Sequence, residues 1–141
     1  MGLVQLIYSS RPFGFDLSVL DGILLVARIN NARNNVTGAL ICRADLYLQM
    51  LEGPEDAVQK TYASIKRDDR HMEITERVKR PITQRLFPHW AMLDDPAEGW
   101  LWTPDQVNQG AIDAAGTAQI INVFTRVRSM AGRPAAANIN G

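Results

Sequence analysis

Apolar residues along this chain change their spacing several times, and each change marks a new element. Leu3-Val4-Gln5-Leu6-Ile7-Tyr8 is a short apolar run that stops at the turn formers Ser9, Ser10, Pro12 and Gly14, as a buried strand does. Ser18 and Asp21 then resemble a capping box with Asp in place of the usual Glu or Gln, and Leu20, Ile23, Leu24 and Ala27 recur at helical spacing. The spacing predicts a helix to about Asn34. Residues 36–43 and 46–52 form two strand-like runs joined by Ala44 and Asp45, a connection short enough for a hairpin. Gly53-Pro54-Glu55-Asp56 ends the second run and opens a helix, because a first turn tolerates the missing N–H of Pro and its dipole favours acids. That helix carries Val58, Tyr62 and Ile65 on one face and ends near Arg67. Residues 72–80 alternate through Ile74, Glu76, Val78 and Arg80, and residues 87–93 form a short apolar run after a loop bounded by Pro. These are predicted strands four and five.

The resulting order, βαββαββ, predicts an α+β ferredoxin-like fold with two helices on one face of a mostly antiparallel sheet. Such a sheet leaves its other face bare. Pro104 and Asp105 can open a further helix, in which Val107, Ala111, Ile112, Ala115, Ile120, Val123, Phe124 and Val127 recur at helical intervals, and Gly110 and Gly116 are candidate breaks. These C-terminal helices are expected to cover the second face. The chain thus reads as a domain over residues 1–95 and a helical extension over 96–141 that frays after about Met130.

At 141 residues the chain suits one domain, whose core buries roughly two-thirds of the surface exposed in the unfolded chain. Fifteen basic residues balance fifteen acidic ones, so no electrostatic footprint points to nucleic acid or to an anionic membrane. The single Cys42 lies in an apolar run and has no partner for an internal disulfide. No signal-peptide pattern opens the chain, and no apolar run approaches the ~18 residues of a membrane span. The expectation is a soluble, cytoplasmic protein.

Three polar side chains fall where the periodicity asks for apolar ones. The helical stripe Leu20, Ile23, Leu24, Ala27 extends to Asn31, and an unpaired buried amide costs about 1–3 kcal/mol. Asn31 either caps the helix end, where Asn is common, or meets a partner in the core. Gln49 sits in the run Leu46, Leu48, Met50, Leu51 and is either a core amide or a solvent-facing residue of an edge strand. Tyr8 closes strand one on the side of Val4 and Leu6, so its ring is expected inside while its hydroxyl seeks a partner. Most buried tyrosines are structural. A phenol and two amides from three elements beneath one pair of helices can also line a slot for a flat polar heterocycle such as a flavin.

The residues resemble the BLUF family, blue-light sensors using flavin. The resemblance covers about residues 2–94 and rests on Leu6-Ile7-Tyr8-Ser9-Ser10, on Ala27-Arg28-Ile29-Asn30-Asn31 leading to Val36-Thr37-Gly38-Ala39-Leu40, and on Leu48-Gln49-Met50-Leu51-Glu52-Gly53-Pro54. Asp68-Asp69-Arg70-His71 and Phe87-Pro88-His89-Trp90-Ala91-Met92 follow in the same order. The resemblance implies that Tyr8 is the electron and proton donor, Gln49 the switching amide, and Asn31 the side chain bonding the flavin N3–H and C4 carbonyl. It places Asn30 beside the ring, where some members carry His, and Arg70 near the C2 carbonyl, with Asp68 and His71 near the ring and ribityl chain. For His71 a structural role at the turn from helix to strand stands as the alternative. Trp90 and Met92 are implied as pocket neighbours near Gln49, although either residue type also fills cores without any function.

The cofactor implied is FAD, with FMN as the alternative, since ring contacts alone do not separate the two. A separate downstream protein effector is implied, nucleic acid and membrane are not, no output enzyme is expected in this chain, and a homodimer is among the options for its assembly. A small flavin-dependent reductase is the rival reading, but no GxGxxG fingerprint supports a nicotinamide site. A flavin-free RNA-binding module would want exposed sheet aromatics and basic flanks, and neither is evident. Cys42 has no nucleophile motif around it, and Glu52 with Glu55 suits a turn and a helix start better than acid–base catalysis.

Overall fold

Alternation across β1 (Leu3–Pro12) sets the architecture: Val4, Leu6 and Tyr8 face one side, Gln5, Ile7 and Ser9 the other, and all six are buried. A strand buried on both faces belongs in the middle of a sheet. β1 pairs antiparallel with β3 (Leu46–Pro54) and with β4 (His71–Ile82), β3 pairs antiparallel with β2 (Thr37–Arg43), and β2 runs parallel to β5 (Leu93–Asp95). The order across the sheet is β4-β1-β3-β2-β5. The computed structural model describes residues 2–12, 17–67, 71–95, 97 and 99–131, grouped into two compact units, Met1–Ala97 and Glu98–Gly141.

In the first unit, α1 (Leu17–Asn34) contributes Leu20, Ile23 and Leu24, and α2 (Glu55–Lys66) contributes Val58 and Tyr62, to a core with Val4, Leu6, Tyr8, Leu40 and Leu51. Each such aliphatic side chain contributes about 1.5–3 kcal/mol when fully buried. On the opposite face Ile7, Ile41, Leu48 and Met50 are also fully buried, which is why β3 reads as a nearly unbroken apolar run. The α+β, ferredoxin-like layout expected from the sequence is therefore present.

Two local expectations need correction. α1 begins at Leu17, so Ser18 lies inside the first turn and is not the residue ahead of it. The predicted fifth strand over 87–93 is instead mostly loop, with β5 confined to Leu93–Asp95. The physical reason is that three side chains and one backbone N–H from elsewhere take the hydrogen bonds a sheet would have offered. The fully buried carboxylate of Glu52 accepts from the backbone N–H groups of Leu86 (2.9 Å) and Phe87 (2.8 Å) and from the Gln5 amide (2.8 Å). Gln5 in turn accepts from Arg80 at 2.9 Å. The Trp90 carbonyl accepts from Gly38 N–H at 3.1 Å, and the carbonyls of Ala91 and Met92 accept from Asn31 (2.9 Å) and Arg28 (3.0 Å). With these groups already satisfied, the segment gains nothing from pairing as a strand.

The second unit contains α3 (Pro104–Asn108), α4 (Ala111–Ala114) and α5 (Thr117–Ala131). Thr103 and Gln106 form a full capping box, with Pro104 at the first helical position. Gly110 adopts φ 91°, a left-handed conformation that interrupts the helix at one of the positions expected. α5 buries Ile120, Val123, Phe124 and Val127, and the Arg126 guanidinium stacks 4.7 Å from the Trp100 ring centre. Among the described residues no helix is long and apolar enough to cross a membrane.

Gly38 shows how tightly β2 and β3 are fitted, since a Cβ there would lie 1.9 Å from the Met50 carbonyl oxygen. Gly38→Ala is expected to cost about 3 kcal/mol, the upper end for overpacking because backbone has to give way. In urea denaturation the midpoint should fall with the slope unchanged. Cys42 is buried in the same core, and burial first, then the Asp94 charge, pushes its thiol from the ordinary 9.0 up to about 11. Because ionisation then favours the unfolded chain, its contribution to stability is intact below pH 9.0 and is lost as pH rises toward about 11. A thiol reagent at pH 8 should therefore label the native protein slowly and the denatured chain fast, with one equivalent taken up.

Candidate functional site

The register of β1 against β3 places Tyr8 directly opposite Gln49, and the register of β2 places Leu40 on the other side of Gln49. Tyr8 and Gln49 project to the helix-covered face, where both are buried. The Tyr8 hydroxyl donates to Gln49 Oε1. Gln49 Nε2 lies 3.5 Å from the Met92 thioether, a weak acceptor. The amide therefore commits its oxygen fully and its N–H groups only in part.

Asn31 approaches from α1. Its Nδ2 donates to the Ala91 carbonyl at 2.9 Å, while its Oδ1 is buried without any donor. Between α1 and α2 a cavity of about 280 Å³ opens, lined by Asn31 and Gln49 among its polar groups and by Ile23 and Ile65 among its aliphatic ones. Asn31 and Gln49 are 1% and 4% exposed and so mark its inner end, whereas the exposed Asn30, Lys60 and Ser64 mark its outer end. The Tyr8 ring also packs on Tyr62 of α2, with centroids 5.2 Å apart and planes tilted by 38°. Burial, and after it the Glu76 charge, raise the Tyr62 phenol above its ordinary 10.0, so it stays protonated at neutral pH.

The structure thus brings Tyr8, Asn30, Asn31 and Gln49 to one place, with Met92 against Gln49. Trp90 stands apart from the described cavity lining, and its ring packs edge-on with Phe87 (6.1 Å) and His89 (6.3 Å). Asp68 and Arg70 lie outside the described residues, as does the side chain of His71, whose backbone starts β4. Sequence reasoning missed Lys60, Thr61 and Ser64. The available signal was a second stripe on α2, since residues 60 and 64, and 61 and 65, are one turn apart and face the cavity together. Among the described residues no group of His, Cys, Asp and Glu is arranged to hold a metal ion.

A buried acceptor lacking a donor and a buried amide with unspent N–H groups are both satisfied by a ligand edge that offers an N–H and a carbonyl side by side. The imide edge of a flavin has that pattern, and the aliphatic walls suit its flat ring. The residues present fit a flavin.

Residues 3–93 match the family model described as "BLUF: Sensors of blue-light using FAD". Among curated proteins, the photoactivated adenylate cyclase subunit beta of Euglena gracilis is 34% identical over 102 residues, which are 72% of this chain but 12% of that protein. The chain therefore spans only a small part of the length of that relative. Among solved structures, the dark state of BlrB, a BLUF protein, superposes with a TM-score of 0.78 at 28% identity, covering 92% of this chain and 97% of that one. Klebsiella pneumoniae BlrP1, described with FMN and cyclic diGMP, superposes with a TM-score of 0.63 at 27% identity over 82% of this chain and 30% of that one. The family match takes in most of the chain and contains β1 to β4, both helices and the buried phenol and amides, and on that ground this chain belongs to the BLUF family of blue-light sensors that bind flavin.

Proposed function

We propose that this chain is a blue-light photoreceptor in which Tyr8 is the electron and proton donor, Gln49 the switching amide and Asn31 the anchor of a non-covalently held FAD. The observation that carries the reading is the incomplete hydrogen bonding at the inner end of the cavity: Asn31 Oδ1 without a donor, beside Gln49 Nε2 facing only sulfur. When bound, the flavin supplies the absorption of blue light and an excited state that takes up an electron and a proton.

The protein residues do the rest. Tyr8 already donates to Gln49, so its proton has a first acceptor in place and its ring lies in a dry core where a separated charge is short-lived. Once the phenol gives up its proton, Gln49 Oε1 loses its donor and the amide is free to rearrange. A turned Gln49 presents its Nε2 to the Tyr8 hydroxyl, which can accept as well as donate, so the changed amide outlasts the return of the electron as a different hydrogen-bond pattern. Asn31 keeps its hold on Ala91 throughout and fixes the ring-side geometry. Met92, packed against Gln49, is the first residue to feel the change, and a separate protein effector is the proposed reader.

A reductase would need a second substrate stacked against the ring, and a cavity of about 280 Å³ walled by Ile23 and Ile65 has room for one ring system. Anaerobic mixing with NADH should therefore leave the flavin colour unbleached.

The protein should purify yellow and release oxidised flavin on denaturation. Asn31→Ala should weaken flavin retention by about 1–3 kcal/mol, five- to more than a hundredfold, and more than Gln49→Ala does. Tyr8→Phe should keep the flavin and lose the light-induced red shift, and Gln49→Leu should lose the normal shift as well. A wild-type photocycle in either variant, read by difference absorbance, would show that the donor and the switch lie elsewhere.

A further inference from the structure

We infer that Lys60, at the outer end of the cavity, binds the first phosphate of the flavin side chain, so that FMN and FAD are held alike and riboflavin, which lacks that phosphate, is held less tightly. The inference rests on the flavin reading of the same cavity. Its geometry comes from two helical pairs facing across the mouth. On α1, Asn30 and Asn34 are one turn apart; on α2, Lys60 and Ser64 are one turn apart, with Thr61 between them. All five line the cavity, and its described lining contains one cation and no carboxylate. An amide pair on one wall, two hydroxyls on the other and a single positive charge offer donors to hydroxyl and phosphoryl oxygens and repel neither.

Size sets the direction in which the ligand leaves. The cavity measures about 280 Å³, at the lower limit of the ≈300–1,000 Å³ usual for small-molecule sites. That is room for a tricyclic ring system whose polar edge reaches the buried Asn31 and Gln49, with the side chain emerging past the exposed residues at the mouth. Lys60 has no ion-pair partner among the described residues, in contrast to Lys79, which pairs with Glu55 at 3.8 Å. Its ammonium is available to an anion. No aromatic side chain belongs to the described lining, so an adenine base beyond the phosphates finds no stacking surface there.

The full chain, freed of flavin, is titrated with riboflavin, FMN and FAD, following flavin fluorescence at low and at high salt. The wild type should bind FMN and FAD about tenfold more tightly than riboflavin at low salt, the scale of one charge-assisted contact at an exposed mouth, and high salt should shrink that advantage. Lys60→Gln should remove the advantage and leave riboflavin affinity unchanged. Lys60→Arg should restore most of it, and Lys66→Gln, more than a turn and a half further along α2 and outside the cavity lining, should leave the phosphate preference unchanged. Retention of the phosphate preference in Lys60→Gln would overturn the inference, as would an equal loss for all three ligands, which would mark Lys60 as structural. FAD binding far above FMN would also overturn it by revealing an adenylate site. If none of the three binds the wild type, the flavin reading itself fails, an outcome distinct from a lost preference.

Discussion

Everything at the site depends on the register of β1 against β3, which sets Tyr8 opposite Gln49 in the centre of the sheet. Side chains alternate with a period of two, so a slip of one residue would turn the phenol, the amide and the apolar residues around them to the opposite face together. Several features hold that register. Leu6 and Leu51 are partners on the core side and Ile7 and Met50 on the other, all buried, so a slip of one residue would exchange the contents of two packed faces. Gly38 lets β2 approach where any side chain would meet the Met50 carbonyl, and Gly53 does the same beside Asn35, where a Cβ would lie 2.7 Å from the carbonyl oxygen. At the far end, Glu52 locks β3 to the segment after β4. Hydrophobic burial thus fixes a polar pair, and the pair inherits a precision that two hydrogen-bonding side chains would not achieve alone.

Most of this was legible in the sequence because it is local or periodic. Strands β1 to β4 announce themselves as apolar runs between turn residues, α2 by Pro54 and its acidic first turn, and the breaks in the tail by Gly110 and Gly116. Asn31 and Gln49 stood out as amides at apolar positions, and their burial shows that the periodicity was the right guide to their placement. The segment over 86–92 was not legible. It has the composition of a strand, but its conformation is decided by Glu52, Gly38, Asn31 and Arg28, which lie 34 to 64 residues away in sequence. Such contacts leave no trace in a window of ten residues. Lys60 was missed for a different reason: a lysine on an amphipathic helix is ordinary, and only the cavity beside it gives it a meaning.

Side-chain bonds to the backbone give this segment a special standing in the fold. A strand held by a ladder moves with its neighbours, whereas residues 90–92 are held singly, Trp90 by the Gly38 N–H and the next two carbonyls by side chains of α1, before the ladder to β2 begins at Leu93. Asn31 holds the Ala91 carbonyl, and Arg28 holds the Met92 carbonyl and, at 2.9 Å, the Asp94 carboxylate. Each such bond contributes about 0.5–3 kcal/mol, comparable with the change expected when one buried amide switches partner. Effects of that size bias the position of a short segment without threatening a core built from Leu6, Leu40, Leu51 and Val58.

Asn31 connects the two ends of this arrangement, because one side of its amide faces the cavity and the other holds the chain at Ala91. The amide is planar, so fixing its oxygen by a ligand N–H also fixes the direction of its Nδ2 donor. Ligand binding and the hold on residues 90–92 are then linked, and linkage is reciprocal: whatever tightens the grip on Ala91 orients Oδ1 for the ligand. Gln49 acts on the neighbouring residue through the Met92 side chain. Two amides of the pocket therefore bear on consecutive residues of one loop, one by a firm hydrogen bond and one by a weak contact with sulfur. On the proposed roles of the two amides, the firm bond defines a reference position while the weak contact is exchanged, the division of labour a switch requires if the ligand is to stay bound while the signal changes.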